Sequence, residues 1–294
     1  MKNKYYSKSI LGISTLTFLF LITTLSCDSD SQDLETNVID ISIAEVSDFT
    51  EIENAEESID EMTEGLSFLM KSENEKDLTK DMAKDFRNRR IPDCADITVA
   101  TASNITTITL DFGDECITEK ENVLSGKIIM TIKHKLQNGS LITTRTYENF
   151  FFNDKKMEGT VSKQRFMRTE VMNPYSLESK NIQVTWNDDS YMTFTAEKKR
   201  EWIEGNKNMI WSDNVFLITG ESSFQKRGGK SRSVLITKPL RREMSCKFIV
   251  SGTKKISSDK RDAVLDYGDG ECDGLAYLTV GDKTNEIHIR KRKK

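Results

Sequence analysis

Proline and histidine are scarce in this chain: three prolines and two histidines in 294 residues. So few prolines exclude a linker-dominated, Pro-rich chain. His134 sits in an alternating apolar run, which suits a half-buried strand residue, and His288 sits among charges. Neither has a second histidine at metal-ligand spacing, so no His-built zinc site is expected. There is no G-x-S-x-G elbow, which removes one common frame for a nucleophilic serine. After the first 26 residues no second long apolar run occurs, so the body is expected to carry no spanning helix. Lysine and arginine are missing altogether from Asp28 to Met70, a stretch holding 14 acidic residues.

Charge elsewhere is distributed unevenly. Residues 71–196 are close to neutral, whereas 197–294 hold 22 basic and 14 acidic residues. The near-neutral total hides an acidic stem and a basic end. At the N-terminus, Lys2, Lys4 and Lys8 precede the apolar run "ILGISTLTFLFLITTL", which has the size and flanks of a secretory signal (residues 1–26). The run ends in "LSC", and "DSDSQDLE" follows. This resembles a bacterial lipoprotein signal, with small Ser26 before Cys27 and Thr24 where that family usually has Leu. The resemblance implies lipidation at Cys27. The acids after it resemble the surface-export signals of Bacteroidota lipoproteins.

Residues 27–48 read as an acidic leash without strong periodicity. A helical segment over 49–90 follows. Ile52, Ala55, Ile59, Met62, Leu66 and Leu69 recur at spacings of 3 and 4, one apolar stripe of an amphipathic helix lying on the body. Thr50 with Glu53 forms a capping box, and Leu78, Met82 and Phe86 continue the pattern.

From residue 91 to 294 the pattern is β. Ile128, Met130, Ile132 and Leu136 alternate with polar residues ahead of the hairpin signal Asn138–Gly139. Further hairpins are expected around Asn187–Ser190 and Gly228–Gly229. With about 11 to 13 short strands and no intervening helices, the expected fold is mainly β. It is a long antiparallel meander, whether curved sheet, sandwich or open barrel, with one N-terminal amphipathic helix. The run Phe150, Phe151, Phe152 breaks alternation, which suits a doubly covered strand or a bulge.

Four of the five cysteines remain once Cys27 is set aside. Cys94 opens a strand, a Ser-Asn turn and a second strand that ends in "LDFGDEC" at Cys116. Cys246 opens the same plan with a longer turn, ending in "LDYGDGEC" at Cys272. Each pair stands at the open base of a hairpin (94–116 and 246–272), where opposed strands are close enough for a disulfide. The predicted pairing, Cys94–Cys116 and Cys246–Cys272, is one of three connectivities. It suits an exported protein, and each bond is worth roughly 3 kcal/mol in the chain-entropy account. Across the mature chain, "ITLDFGDEC", "SGKI", "WIEG", "ITG", "ITKPL", "SGT" and "LDYGDGECDG" resemble a family of Bacteroidota lipoproteins to which no activity is attached. The resemblance implies compartment and a β-rich body, and it carries over no functional residues.

The remaining candidates are weak. Asp269, Glu271 and Asp273 before Gly274 imitate the start of a calcium loop. The closing acid is missing, with Val280 in its place, so turn chemistry is the expected role. Lys198, Lys199 and Arg200, Arg241 and Arg242, and the terminal run with Arg290 and Arg292 form basic clusters. They are expected to be solvated faces, partners of the acidic stem, or a site for anionic glycan or lipopolysaccharide. Glu148, Glu204 and Asp213 lie near aromatics, as a glycan hydrolase would need. No cofactor and no nucleic-acid partner are implied. The leading expectation is a lipid-anchored outer-membrane or cell-surface protein with a non-enzymatic binding or structural role. A periplasmic carrier of lipid or another hydrophobic ligand is the alternative, and a hydrolase the third.

Overall fold

A computed structural model describes residues 41–69, 91–119, 121–133, 140–167, 169, 172–207, 210 and 212–289. The predicted signal, Cys27, most of the leash, residues 70–90, His134, the Asn138–Gly139 turn, Arg290 and Arg292 lie outside the described residues.

One helix, α1 (Ile43–Leu69), precedes the strands. The first seven strands are β1 (Asp96–Ala102), β2 (Ile105–Asp111), β3 (Cys116–Ile117), β4 (Val123–Lys133), β5 (Leu141–Phe152), β6 (Lys155–Phe166) and β7 (Tyr175–Thr185). The second seven are β8 (Tyr191–Glu204), β9 (Val215–Lys226), β10 (Ser231–Glu243), β11 (Ile249–Ser257), β12 (Asp262–Asp269), β13 (Leu275–Val280) and β14 (Lys283–His288). All neighbours pair antiparallel in chain order, with the short β3 beside β4. β1 and β14 stand at the two ends of the path and do not pair with each other, so the meander is an open sheet. The turns fall where the sequence puts them, at Ser103–Asn104, Asn187–Ser190 and Gly228–Gly229.

α1 begins earlier than the Thr50 capping box implies. Ser42 Oγ accepts from the Glu45 amide at 3.1 Å and caps the helix there, while the Thr50 hydroxyl donates to the Ser47 carbonyl inside it. The predicted stripe is buried at Ile52, Ala55, Ile59, Met62 and Leu66, and Val46 and Phe49 extend it toward the N-terminus.

The helix does not lie on the body as expected; the sheet wraps it. Residues of all seven strands from β5 to β11 form ion pairs with α1. A flat sheet of seven strands is about 29 Å across, and a helix is only about 10–12 Å in diameter. Glu53, Glu56 and Glu57, within about one turn of α1, between them reach β5, β7, β8, β10 and β11. So short a stretch can do this only if the sheet curls around it. Ile108, Leu110, Ile128, Ile132, Leu265, Leu278 and Ile287 join the helix stripe in a single apolar cluster.

The Phe150–Phe152 irregularity is a bulge. Pairing slips between Ser125 and Lys127 on β4 and between Thr146 and Phe150 on β5. Phe150 and Phe152 point into the core, and Gly126 (φ +76°) lies so close to Asn149 that a Cβ would strike its carbonyl. Such bulges let a strand bend.

Candidate functional site

α1 carries nine carboxylates and no basic residue. In isolation, like charges three and four apart (Glu53, Glu57, Glu61 and Glu64) would each weaken it by about 0.2–0.5 kcal/mol. In the fold all nine meet a cation from the sheet's inner face.

Toward the N-terminal end, Glu45 meets Arg232 (3.3 Å), Asp48 meets Lys226 (3.2 Å) and Glu51 meets Lys155 (2.9 Å). Glu53 is shared by Lys198 (2.9 Å) and Lys254. Further along, Arg145 bridges Glu56 and Asp60, each at 2.6 Å, and Lys180 reaches the same two acids at 3.3 and 2.6 Å. Arg200 holds Glu57 at 2.6 Å, and Lys163 (2.9 Å) and Arg165 hold Glu64. Glu178 of β7 adds a carboxylate between Lys163 and Lys180.

Arg242 is the most enclosed of these cations, with its side chain 1% exposed. It binds Glu61 and lies 3.5 Å from Glu57. Its Nη1 donates to the carbonyls of Glu243 (2.7 Å), Phe248 (3.2 Å) and Cys246. One guanidinium therefore ties the helix to the segment that carries the second disulfide.

Desolvating such charges costs several kcal/mol each, recovered only where geometry and partners are complete. Burial pushes the Glu53 carboxyl up, but Lys198 and Lys254 outweigh it and bring it down to about 2. Glu57, buried beside Arg200 and Arg242, and Glu64, buried beside Arg165 and Lys163, also come down to about 2. Asp60, equally buried, is held well below the usual carboxylate range by Lys180, Lys163 and Arg145. Tyr147 donates to Glu56 at 2.5 Å, and burial drives its hydroxyl well above its ordinary value.

The basic clusters of the sequence are split by the pleat. Lys198, Arg200 and Arg242 face inward and are partners of the acidic helix. Lys199 and Arg241 face outward, Lys199 paired with Glu201 (3.1 Å) and Arg241 with Glu243 (2.7 Å) and Glu204 (3.0 Å). Missed by the sequence reading are Arg145, Lys155, Lys163, Arg165, Lys180, Lys226, Arg232 and Lys254. Their only signal is a basic residue at an inward position of an alternating strand.

Both predicted disulfides are present, with Cα–Cα distances of 5.6 Å for Cys94–Cys116 and 5.7 Å for Cys246–Cys272. The acidic turns behind them do turn chemistry. Asp111 accepts from the Gly113 amide (3.0 Å), Asp266 from Gly268 (2.9 Å) and Asp273 from Leu275 (2.9 Å). Among the described residues no three His, Cys, Asp or Glu side chains, Asp269, Glu271 and Asp273 included, are grouped to hold a metal. Glu204 stands at the end of β8 with Asp213 against the neighbouring Gly205, while Glu148 lies on β5, three strands away. The three acids do not converge.

Between α1 and strands β7 to β12 lies a cavity of ≈ 50 Å³, bordered by Glu53, Glu57, Lys198, Arg200 and Tyr267. That is room for a few waters. The geometry is that of a neutralised, filled interior. Comparison with protein-family models, curated proteins and solved structures finds no match to this chain.

Proposed function

We propose that this is an exported protein, lipid-anchored through Cys27 at the outer membrane or cell surface, whose role is binding or structural rather than enzymatic. The observation that carries the reading is the occupied inner face of the sheet. A lipid carrier needs a vacant apolar chamber, and ligand pockets run to about 300–1,000 Å³. Here α1 occupies that space, and the cavity beside it among the described residues is ≈ 50 Å³. All nine acids of α1 are held by cations, which leaves none there as a free general acid or base. Two disulfides at hairpin bases suit an oxidising compartment. An anionic glycan is not part of the reading, because the described cations of the basic clusters already have carboxylate partners.

Mass spectrometry of the mature N-terminus tests the anchor. Acyl mass on Cys27, lost in Cys27→Ala together with membrane association, is the expected result; an unacylated mature N-terminus overturns it. Protease shaving of intact against permeabilised cells then separates the two faces. Digestion in intact cells places the body outside, and protection until permeabilisation places it in the periplasm.

A further inference from the structure

At the end of the sheet near the start of α1, the β5–β6 and β7–β8 turns border an open depression of ≈ 440 Å³. Trp186 forms an apolar wall, half-buried and packed against the core cluster. Two lysines border the depression, and both are tied back to the helix: Lys226 to Asp48 at 3.2 Å and Lys155 to Glu51 at 2.9 Å. Lys226 Nζ also lies over the Trp186 ring, 5.9 Å from its centre, so a ligand on Trp186 packs beside this ammonium.

The groups left over are polar and not cationic. The Asp154 carboxylate and the Asn187 carboxamide, both exposed, have no hydrogen-bond or ion-pair partner among the described residues. Asp154 is fixed by a left-handed turn, with φ +49° at Asn153 and +65° at Asp154. Asp188 is fixed by its own turn, accepting from Ser190 N at 3.0 Å and Ser190 Oγ at 2.6 Å. The donors and acceptors are therefore preset on tight turns rather than on long flexible side chains, which lowers the cost of binding.

We propose that this depression is a saccharide site that takes a neutral sugar ring against Trp186, with its hydroxyls bonded to Asn187 and Asp154. A pyranose offers an apolar C–H face and hydroxyls that both donate and accept. A carboxamide answers both kinds of bond, and a carboxylate accepts. The volume falls in the ligand-pocket range. Charge decides between sugar classes: the lysines are already neutralised and the free ionic group is a carboxylate, so phosphate, sulfate and uronic acids are disfavoured.

This names a ligand for the binding role proposed above. It is tested on purified protein, so a failure here leaves the acylation and shaving results untouched. The full chain is titrated calorimetrically with neutral gluco-, manno- and chito-oligosaccharides and with heparin as the anionic probe. The expected result is binding of at least one neutral probe, weakened about tenfold by Asn187→Ala for the lost hydrogen bond. Trp186→Phe should weaken it as well, with the melting temperature retained in Asn187→Ala. Absence of binding by every neutral probe at millimolar concentration overturns the proposal. So does binding that survives both substitutions, or preference for heparin.

Discussion

The two cysteine-stapled units begin from nearly the same words and meet different neighbours. In both, a leucine (Leu110, Leu265) and an aromatic (Phe112, Tyr267) are buried on either side of an aspartate that caps a glycine turn. In both, one cysteine is buried (Cys116, Cys246) and its partner exposed (Cys94, Cys272). The first unit's aromatic packs on another ring, Phe112 against Phe150 at 5.7 Å between centroids. The second unit's aromatic faces charge: Lys254 lies 5.2 Å from the Tyr267 ring centre. There burial, with the Glu53 carboxylate adding to it, lifts the Tyr267 hydroxyl well above its ordinary value. Cys246 in addition accepts from Arg242, and the first unit's cysteines have no link of that kind to the helix among the described residues. A repeated motif fixes a turn and an inward aromatic. What that aromatic does is decided by the strand beside it.

Acid should break the comparison most. Glu53, Glu57 and Glu64 are lowered from 4.5 to about 2 in the fold. Their contribution is therefore complete above pH 4.5 and is lost as pH falls toward 2, on the order of 3 kcal/mol per carboxyl. Hydrogen exchange measured down this range should lose protection at β8 and β10–β12 before β1–β2. Simultaneous loss would mean the two ends unfold as one unit.

Arg242→Met comes next. It leaves Glu61 buried without its cation and should cost about 3–5 kcal/mol in urea unfolding. The staples follow at roughly 3 kcal/mol each when both cysteines are changed to serine. Combined with Arg242→Met, loss of Cys246–Cys272 should be non-additive by about 0.5–3 kcal/mol, and loss of Cys94–Cys116 additive within about 0.5. Equal coupling at both staples would erase the distinction drawn here. Smallest is the exchange of the aromatics. Phe112→Tyr buries a hydroxyl among apolar rings at about 1–3 kcal/mol, while Tyr267→Phe should stay within about 0.5 kcal/mol, both read from thermal melts.

Much of the fold was legible because it depends on period and turn. The helix stripe, the hairpin turns and the cysteine pairing all rest on local spacing. The start of α1 was misplaced because Ser42–Glu45 and Thr50–Glu53 both have the spacing of a capping box, and the acidic run between them resembled a leash. Val46 and Phe49, which continue the stripe, carried the missing signal. The interior ion network was not legible for a different reason. Along the chain Lys198, Lys199 and Arg200 form one cluster, but successive strand residues point to opposite faces, so the cluster is two interior cations and one surface lysine. Pairing between a helix and residues so far along the chain leaves no local trace, as with Glu64 and Lys163, separated by 99 residues, or Glu53 and Lys254, separated by 201.

The wrapped acidic helix also sets an order of assembly. Chains are made from the N-terminus, and α1 is complete long before the strands that neutralise it. Glu53 waits 201 residues for Lys254, and Glu61 waits 181 for Arg242. Until those cations emerge the helix has only self-repulsion and an unburied stripe, so it is expected to stay unstructured while β hairpins form locally behind it. Contacts this distant in sequence slow the final step. The helix, made before the strands that neutralise it, is thus expected to be the last element to find its place, with the centre of the molecule closing only when most of its wall is built.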